Sequence, residues 1–104
     1  IITIAEKEIG RIIGNGGKPY NFKPSAIAVH PKTGHIYILA SVGKILIVVD
    51  PVSNQVMHVQ LLDESDFPQP EGMTFDAADN LLISSEGLLS KAAAITRFTS
   101  KTIK

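Results

Sequence analysis

Residues 22–41 read FKPSAIAVHPKTGHIYILAS, and residues 67–86 read FPQPEGMTFDAADNLLISSE. The two stretches answer to one description. Pro24 matches Pro70, Ala26 matches Gly72, His30 matches Asp76, and the run Ile36-Tyr-Ile matches Leu81-Leu-Ile. The offset is about 45 residues with one gap, the length of a four-stranded propeller blade. Both copies share the order proline, small residue, apolar strand, turn, apolar strand.

Each copy reads as strands. Residues 25–30 form a short apolar run ending at His30-Pro31, and Lys32-Thr-Gly34 makes a tight turn in which glycine supplies the positive φ. Ile36 to Ala40 and Ile45 to Val49 are rich in β-branched residues and apolar on both faces, so they must be covered above and below. Asp50 to Asn54 makes the next turn. Val56 to Leu62 then alternates, with Met57, Val59 and Leu61 on one face and His58 and Gln60 on the other, as a half-exposed strand does. Burial falling from the second and third strands to the fourth is the gradient from inside to outside of a blade. In the second copy the strands fall at 71–76, 80–85 and 93–98. Lys91-Ala-Ala-Ala94 argues locally for helix, but the repeat puts a third strand there. A sandwich is the competing architecture, and the repeat favours the propeller. Ile1-Ile-Thr-Ile4 has the look of a strand, whereas Ala5 to Ile9 fits either its continuation or a helical turn.

The expected fold is therefore all-β: two consecutive four-stranded antiparallel blades of a β-propeller, a fragment of a larger ring. Residues 21–66 make one blade and 67–104 the last, while 1–20 are a remnant of a preceding blade or a connecting segment. Ten basic and ten acidic residues cancel, which leaves no electrostatic footprint for nucleic acid. With no cysteine there is neither a disulfide framework nor a thiolate metal site. The longest apolar runs are far too short to span a bilayer.

The stretch from Asn21 to Ser41 resembles the SdiA-regulated family, as do Phe67 to Asp76 and the run Leu82-Ile-Ser-Ser-Glu-Gly87. These are bacterial propeller proteins related in pattern to the NHL-repeat group. The resemblance covers roughly residues 20–98. It implies an extracytoplasmic protein, periplasmic or associated with the cell envelope, whose full ring has several blades. It implies no particular reaction. A segment like Ile95-Thr-Arg-Phe98 lies near the carboxyl end in such proteins, so the chain looks like the last two blades.

Glu71 and Glu86 are the candidate metal ligands. Glu71 stands at the start of an inner strand and Glu86 just after the next one, positions that converge on a propeller's central channel. Carboxylates with carbonyls are ligands for a hard cation such as Ca²⁺, and calcium-dependent lactonase-type propellers look similar in this respect. Ser25 and Ser41 occupy the matching positions of the first copy, and the four together form the candidate ligand-binding set. The simpler reading of the acids is a pair of solvated carboxylates at the channel mouth. His30, His35 and His58 fit no helical metal pair, and turn capping explains His30 better. Asp63 to Asp66 lacks the glycine and glutamate spacing of a calcium loop. Gly14 to Gly17 fails the strand–loop–helix context of a phosphate loop, and Ser84 and Ser85 lack the glycines of a nucleophile elbow.

Two functions follow. The first is a non-enzymatic binding or scaffold module that engages a small molecule or an envelope protein. The second is a calcium-dependent lactonase- or phosphoesterase-type hydrolase. An isolated pair of blades would also expose a bare sheet edge, and would self-associate or borrow a strand from another copy.

Overall fold

The computed structural model describes residues 6–14, 21–63, 69–86 and 94–98. Among the described residues one helix, α1 (Glu6–Ile13), precedes seven strands: β1 (Lys23–Val29), β2 (Ile36–Val42), β3 (Ile45–Val49), β4 (Val56–Leu61), β5 (Gln69–Phe75), β6 (Leu81–Glu86) and β7 (Ala94–Phe98). They form a four-stranded antiparallel sheet ordered β1-β2-β3-β4 and a three-stranded one ordered β5-β6-β7. These are successive blades of an all-β propeller fragment. The fourth strand expected in the second blade would follow Phe98 and lies outside the described residues. Residues 1–4 lie outside them too.

The repeat is visible in the register. Pro24 pairs with Ala40 and Ala26 with Leu39, leaving Ser25 as a bulge; Pro70 pairs with Ser85 and Gly72 with Ser84, leaving Glu71 as a bulge. The single gap lies in the following turn. His30 to His35 closes with the His30 N–H on the His35 carbonyl at 2.9 Å, whereas Asp76 to Asn80 closes one residue sooner, also at 2.9 Å. Gly34 and Asp79 take the positive φ of these turns, 75° and 65°. The Asp50 turn is built alike, with Asn54 at φ 61°. Gly43 and Lys44 form a two-residue hairpin between β2 and β3, both with positive φ.

Two layers of core flank the first sheet. Tyr37, Leu39, Leu46 and Val48 face the second sheet and close on Leu81 and Ile83, with Met73, Phe75 and Phe98 packed around them. Ile38, Ala40, Ile45, Ile47 and Val49 face the other way and pack with Ile9 of α1 and with Phe22. All of β3 is buried between the two, which accounts for its unbroken β-branched run. The segment left open between strand and helix is thus helical at 6–13, and Gly14, at φ 74°, ends it.

The face assignment on β4 needs a correction. Val59 and Leu61 do share a face, opposite Ile47 and Ile45, with His58 and Gln60 on the other. A bulge between Val48 and Val49 skips Met57, so it does not continue that apolar face. Met57 and Leu61 are about half exposed, and His58 and Gln60 lie on the side of the core between the sheets.

Candidate functional site

The bulges bring the predicted residues to one end of the two sheets. A proline before each bulge has no N–H to give the ladder, and the extra residue turns its side chain out of the strand's alternation. The Ser25 hydroxyl lies 3.3 Å from both the Leu39 and the Pro70 carbonyl oxygens and accepts the Ser41 N–H at 3.2 Å. One hydroxyl therefore ties β1 to β2 and reaches across to β5. Ser25 and Ser41 are joined directly, in an architectural contact. Glu71 follows Pro70 and is exposed. The backbone of Glu86 pairs with Gln69 at the same end, while its side chain lies outside the described residues.

Among the described residues no three His, Asp or Glu side chains gather where they could hold a metal ion. Of the two candidate calcium ligands only Glu71 has a described side chain. The Pro70 carbonyl beside it already faces Ser25.

At the opposite end the strands close in turns capped by their own first residues. His30 Nδ1 accepts the N–H groups of Lys32 and Thr33 at 3.1 and 3.2 Å. Asp76 Oδ1 accepts those of Ala78 and Asn80, both at 2.9 Å, and Oδ2 accepts the Asn80 side-chain amide at 3.1 Å. The aligned pair His30 and Asp76 thus share one task, as the repeat predicts. Asp50 Oδ1 does the same for Val52 N–H at 2.8 Å. These donors, the Asn80 backbone foremost, hold the Asp76 carboxyl below its ordinary range, and the Arg97 charge adds to them against an opposing effect of burial. Lys32 Nζ meets Asp79 Oδ2 at 3.0 Å and joins the two turns. Beneath them, Tyr37 and Phe75 pack edge to face at 4.9 Å, with the His30 ring 5.0 Å from Phe75. Burial raises the Tyr37 hydroxyl above its ordinary pKa.

Between β1 and β5, toward this end, runs an open groove of about 500 Å³. Ile27, Val29 and Pro31 line one wall, and Thr74, Asp76 and Ala77 the other. Ile27 and Val29 are 65% and 58% exposed. β1 bonds only to β2 and β5 only to β6, so among the described strands each leaves one backbone edge open along the groove. Sequence reading missed this site because it searched for charged side chains. The signal was there in two apolar residues on the innermost strand, the strand with one neighbour.

The three histidines stand apart in role. His30 caps, His35 lies across the turn from it, and His58 Nε2 is buried on β4 with no hydrogen-bond partner among the described residues. Ser85 is buried, whereas Ser84 faces outward on β6. The acidic stretch 64–66 and the glycines at 16–17 lie outside the described residues.

Comparison with protein-family models matches residues 22–89 to the SdiA-regulated family. No curated protein and no solved structure matches the chain. The matched span holds both bulges, the three capped turns and both walls of the groove. By that match, which spans more than half of the chain, the chain belongs to the SdiA-regulated family.

Proposed function

We propose that the chain is part of a non-enzymatic binding module of the bacterial periplasm or cell envelope, with its ligand seat in the groove between β1 and β5. The observation that supports this reading is the exposure of Ile27 and Val29 beside two open strand edges. The groove falls within the range of ligand sites, roughly 300–1,000 Å³. Open edges offer main-chain hydrogen bonds, and apolar side chains beside them offer pockets, the two elements of strand-addition recognition. The ligand class this suits is an extended, apolar peptide segment of an envelope partner. No described helix is long and apolar enough to cross a membrane.

An amide-shift titration with short peptides of alternating valine and threonine tests it. Shifts should concentrate at residues 27–31 and 73–77, and Ile27→Glu should weaken binding about tenfold with little change in melting temperature. Shifts scattered elsewhere, or none, would rule the groove out.

A second reading, the calcium-dependent lactonase- or phosphoesterase-type hydrolase, draws on the placement of Glu71 and Glu86 at one end of neighbouring strands. It requires ligands beyond the described residues. Calcium binding to the native state alone would raise the melting temperature, and the rise would be lost in Glu71→Gln. An unchanged melting temperature on adding calcium counts against it.

A further inference from the structure

The turn between β5 and β6 holds a charge that its conformation does not call for. Gly34, Asn54 and Asp79 each take the positive φ of a turn, at 75°, 61° and 65°. Glycine and asparagine adopt this conformation readily, and an uncharged residue suffices in two of these three turns. Asp79 puts a carboxylate there instead. Its side chain is 13% exposed, and the cation facing it is Lys32 Nζ at 3.0 Å, from the turn between β1 and β2.

This ion pair lies at the turn end of the groove between β1 and β5. Pro31, next to Lys32, and Ala77, two residues before Asp79, end the two walls. The walls also present main chain. The His30 N–H bonds the His35 carbonyl and the Asp76 N–H that of Asn80. Bonding alternates along an antiparallel ladder, so Ile27 and Val29 turn their peptide groups away from β2, and Met73 and Phe75 turn theirs away from β6. All four residues line the groove. Innermost strands turn this edge to the central channel of a propeller and not to the next blade.

The two partners are unequal. The Lys32 side chain is 78% exposed and gives up the freedom of a long chain to reach across to Asp79. Asp79 is the more enclosed, and a carboxylate drawn out of water needs a cation or a donor beside it. The neighbouring acid is occupied, since Asp76 has both oxygens bonded within its own turn, to Ala78 and Asn80. A second cation arriving along the groove can therefore replace Lys32 at Asp79 without leaving the carboxylate unpaired. Lys32 then returns to solvent.

We propose that Asp79 is the seat for a basic side chain of the peptide that lies in the groove, and that Lys32 is a built-in competitor holding the seat while the groove is empty. The proposal rests on the groove between β1 and β5 being the ligand seat. It narrows the ligand to an extended apolar segment with a lysine or arginine at the end that reaches the turns. One cation replaces another, so the exchange keeps the number of ion pairs. A neutral or acidic end gains nothing from it, and an acidic one is repelled by Asp79.

Calorimetric titration of the 104-residue chain tests this with end-capped peptides of alternating valine and threonine. Each carries lysine, norleucine or glutamate at its amino or its carboxyl end. One of the two lysine peptides should bind the wild type about fivefold or more tightly than its norleucine and glutamate counterparts, by a margin that shrinks as salt rises. Asp79→Asn should abolish the margin and leave norleucine binding within about twofold of wild type. Asparagine already takes the same φ at position 54, so this change keeps the turn. Lys32→Ala should tighten the lysine peptide about threefold or more by removing the competitor, with norleucine binding unchanged. Equal affinity for all the peptides would overturn the basic seat and leave the groove standing. So would a margin that survives in Asp79→Asn or shrinks in Lys32→Ala. Binding of none of the peptides would overturn the groove as the ligand seat and this proposal with it.

Discussion

His30, Asp50 and Asp76 perform one task with two chemistries. Each ends a strand and accepts backbone N–H groups from the turn that follows. The carboxylate of Asp76 does so with a charge, and its hydrogen bonds favour the ionised form. Its folded-state pKa therefore lies below that of the unfolded chain, about 3.9. The stabilisation is complete above that value and disappears as the pH falls through the lower, folded one. The wild type should be more stable than Asp76→Asn at neutral pH, and the gap should close in melting experiments run below about pH 4. A gap that stays constant across that range would show that the charge plays no part. The shared role of His30 and Asp76 can be read from the sequence, because a cap needs only partners two to four residues away. The clasp made by Ser25 cannot. Its acceptor, Pro70, is 45 residues distant, and nothing local marks one serine among several as the one that bridges two sheets.

At the scale of elements, the strands follow from composition and the exceptions have physical causes. Ile36 to Val49 is read correctly because β-branched residues apolar on both faces suit only a strand covered twice. Ala94 to Phe98 is a strand despite the alanines before it, since pairing with β6 outweighs a local preference spread over four residues. Helix α1 is ambiguous beforehand because a segment of eight residues is too short to be settled by propensity. It is held by the seat of Ile9 against the first sheet. The misreading of Met57 has a sharper cause, for a bulge shifts the alternation by one residue and leaves no trace in the polarity pattern. The contrast between β2 and β4 is measurable. Leu39→Ala, at a fully buried position, should cost about 2–5 kcal/mol, and Met57→Ala, half exposed, about 0.5 kcal/mol. Denaturant unfolding of the two variants compares them, and equal losses would mean that β4 is not the outer strand described.

Across the whole molecule, one blade design is used twice, and the second copy differs from the first along one face. The shared parts are architectural: the proline before a bulge, the small residue after it and the capped turn. The altered parts are Glu71 for Ser25, Ser84 for Leu39 and Arg97 for Val48, and they lie on the outer face or its corner. Sequence comparison shows these differences but not their common location, because the face they share is defined by register across three strands. The account rests on that register and on the closure of one sheet upon the other. Nuclear Overhauser contacts in the labelled chain test both at once. The account predicts cross-strand contacts joining Ala26 to Leu39 and Gly72 to Ser84, with Ser25 and Glu71 unpaired between their neighbours, and ring contacts between Tyr37 and Phe75. Continuous pairing through Ser25 or Glu71, or rings of Tyr37 and Phe75 out of contact, would contradict it.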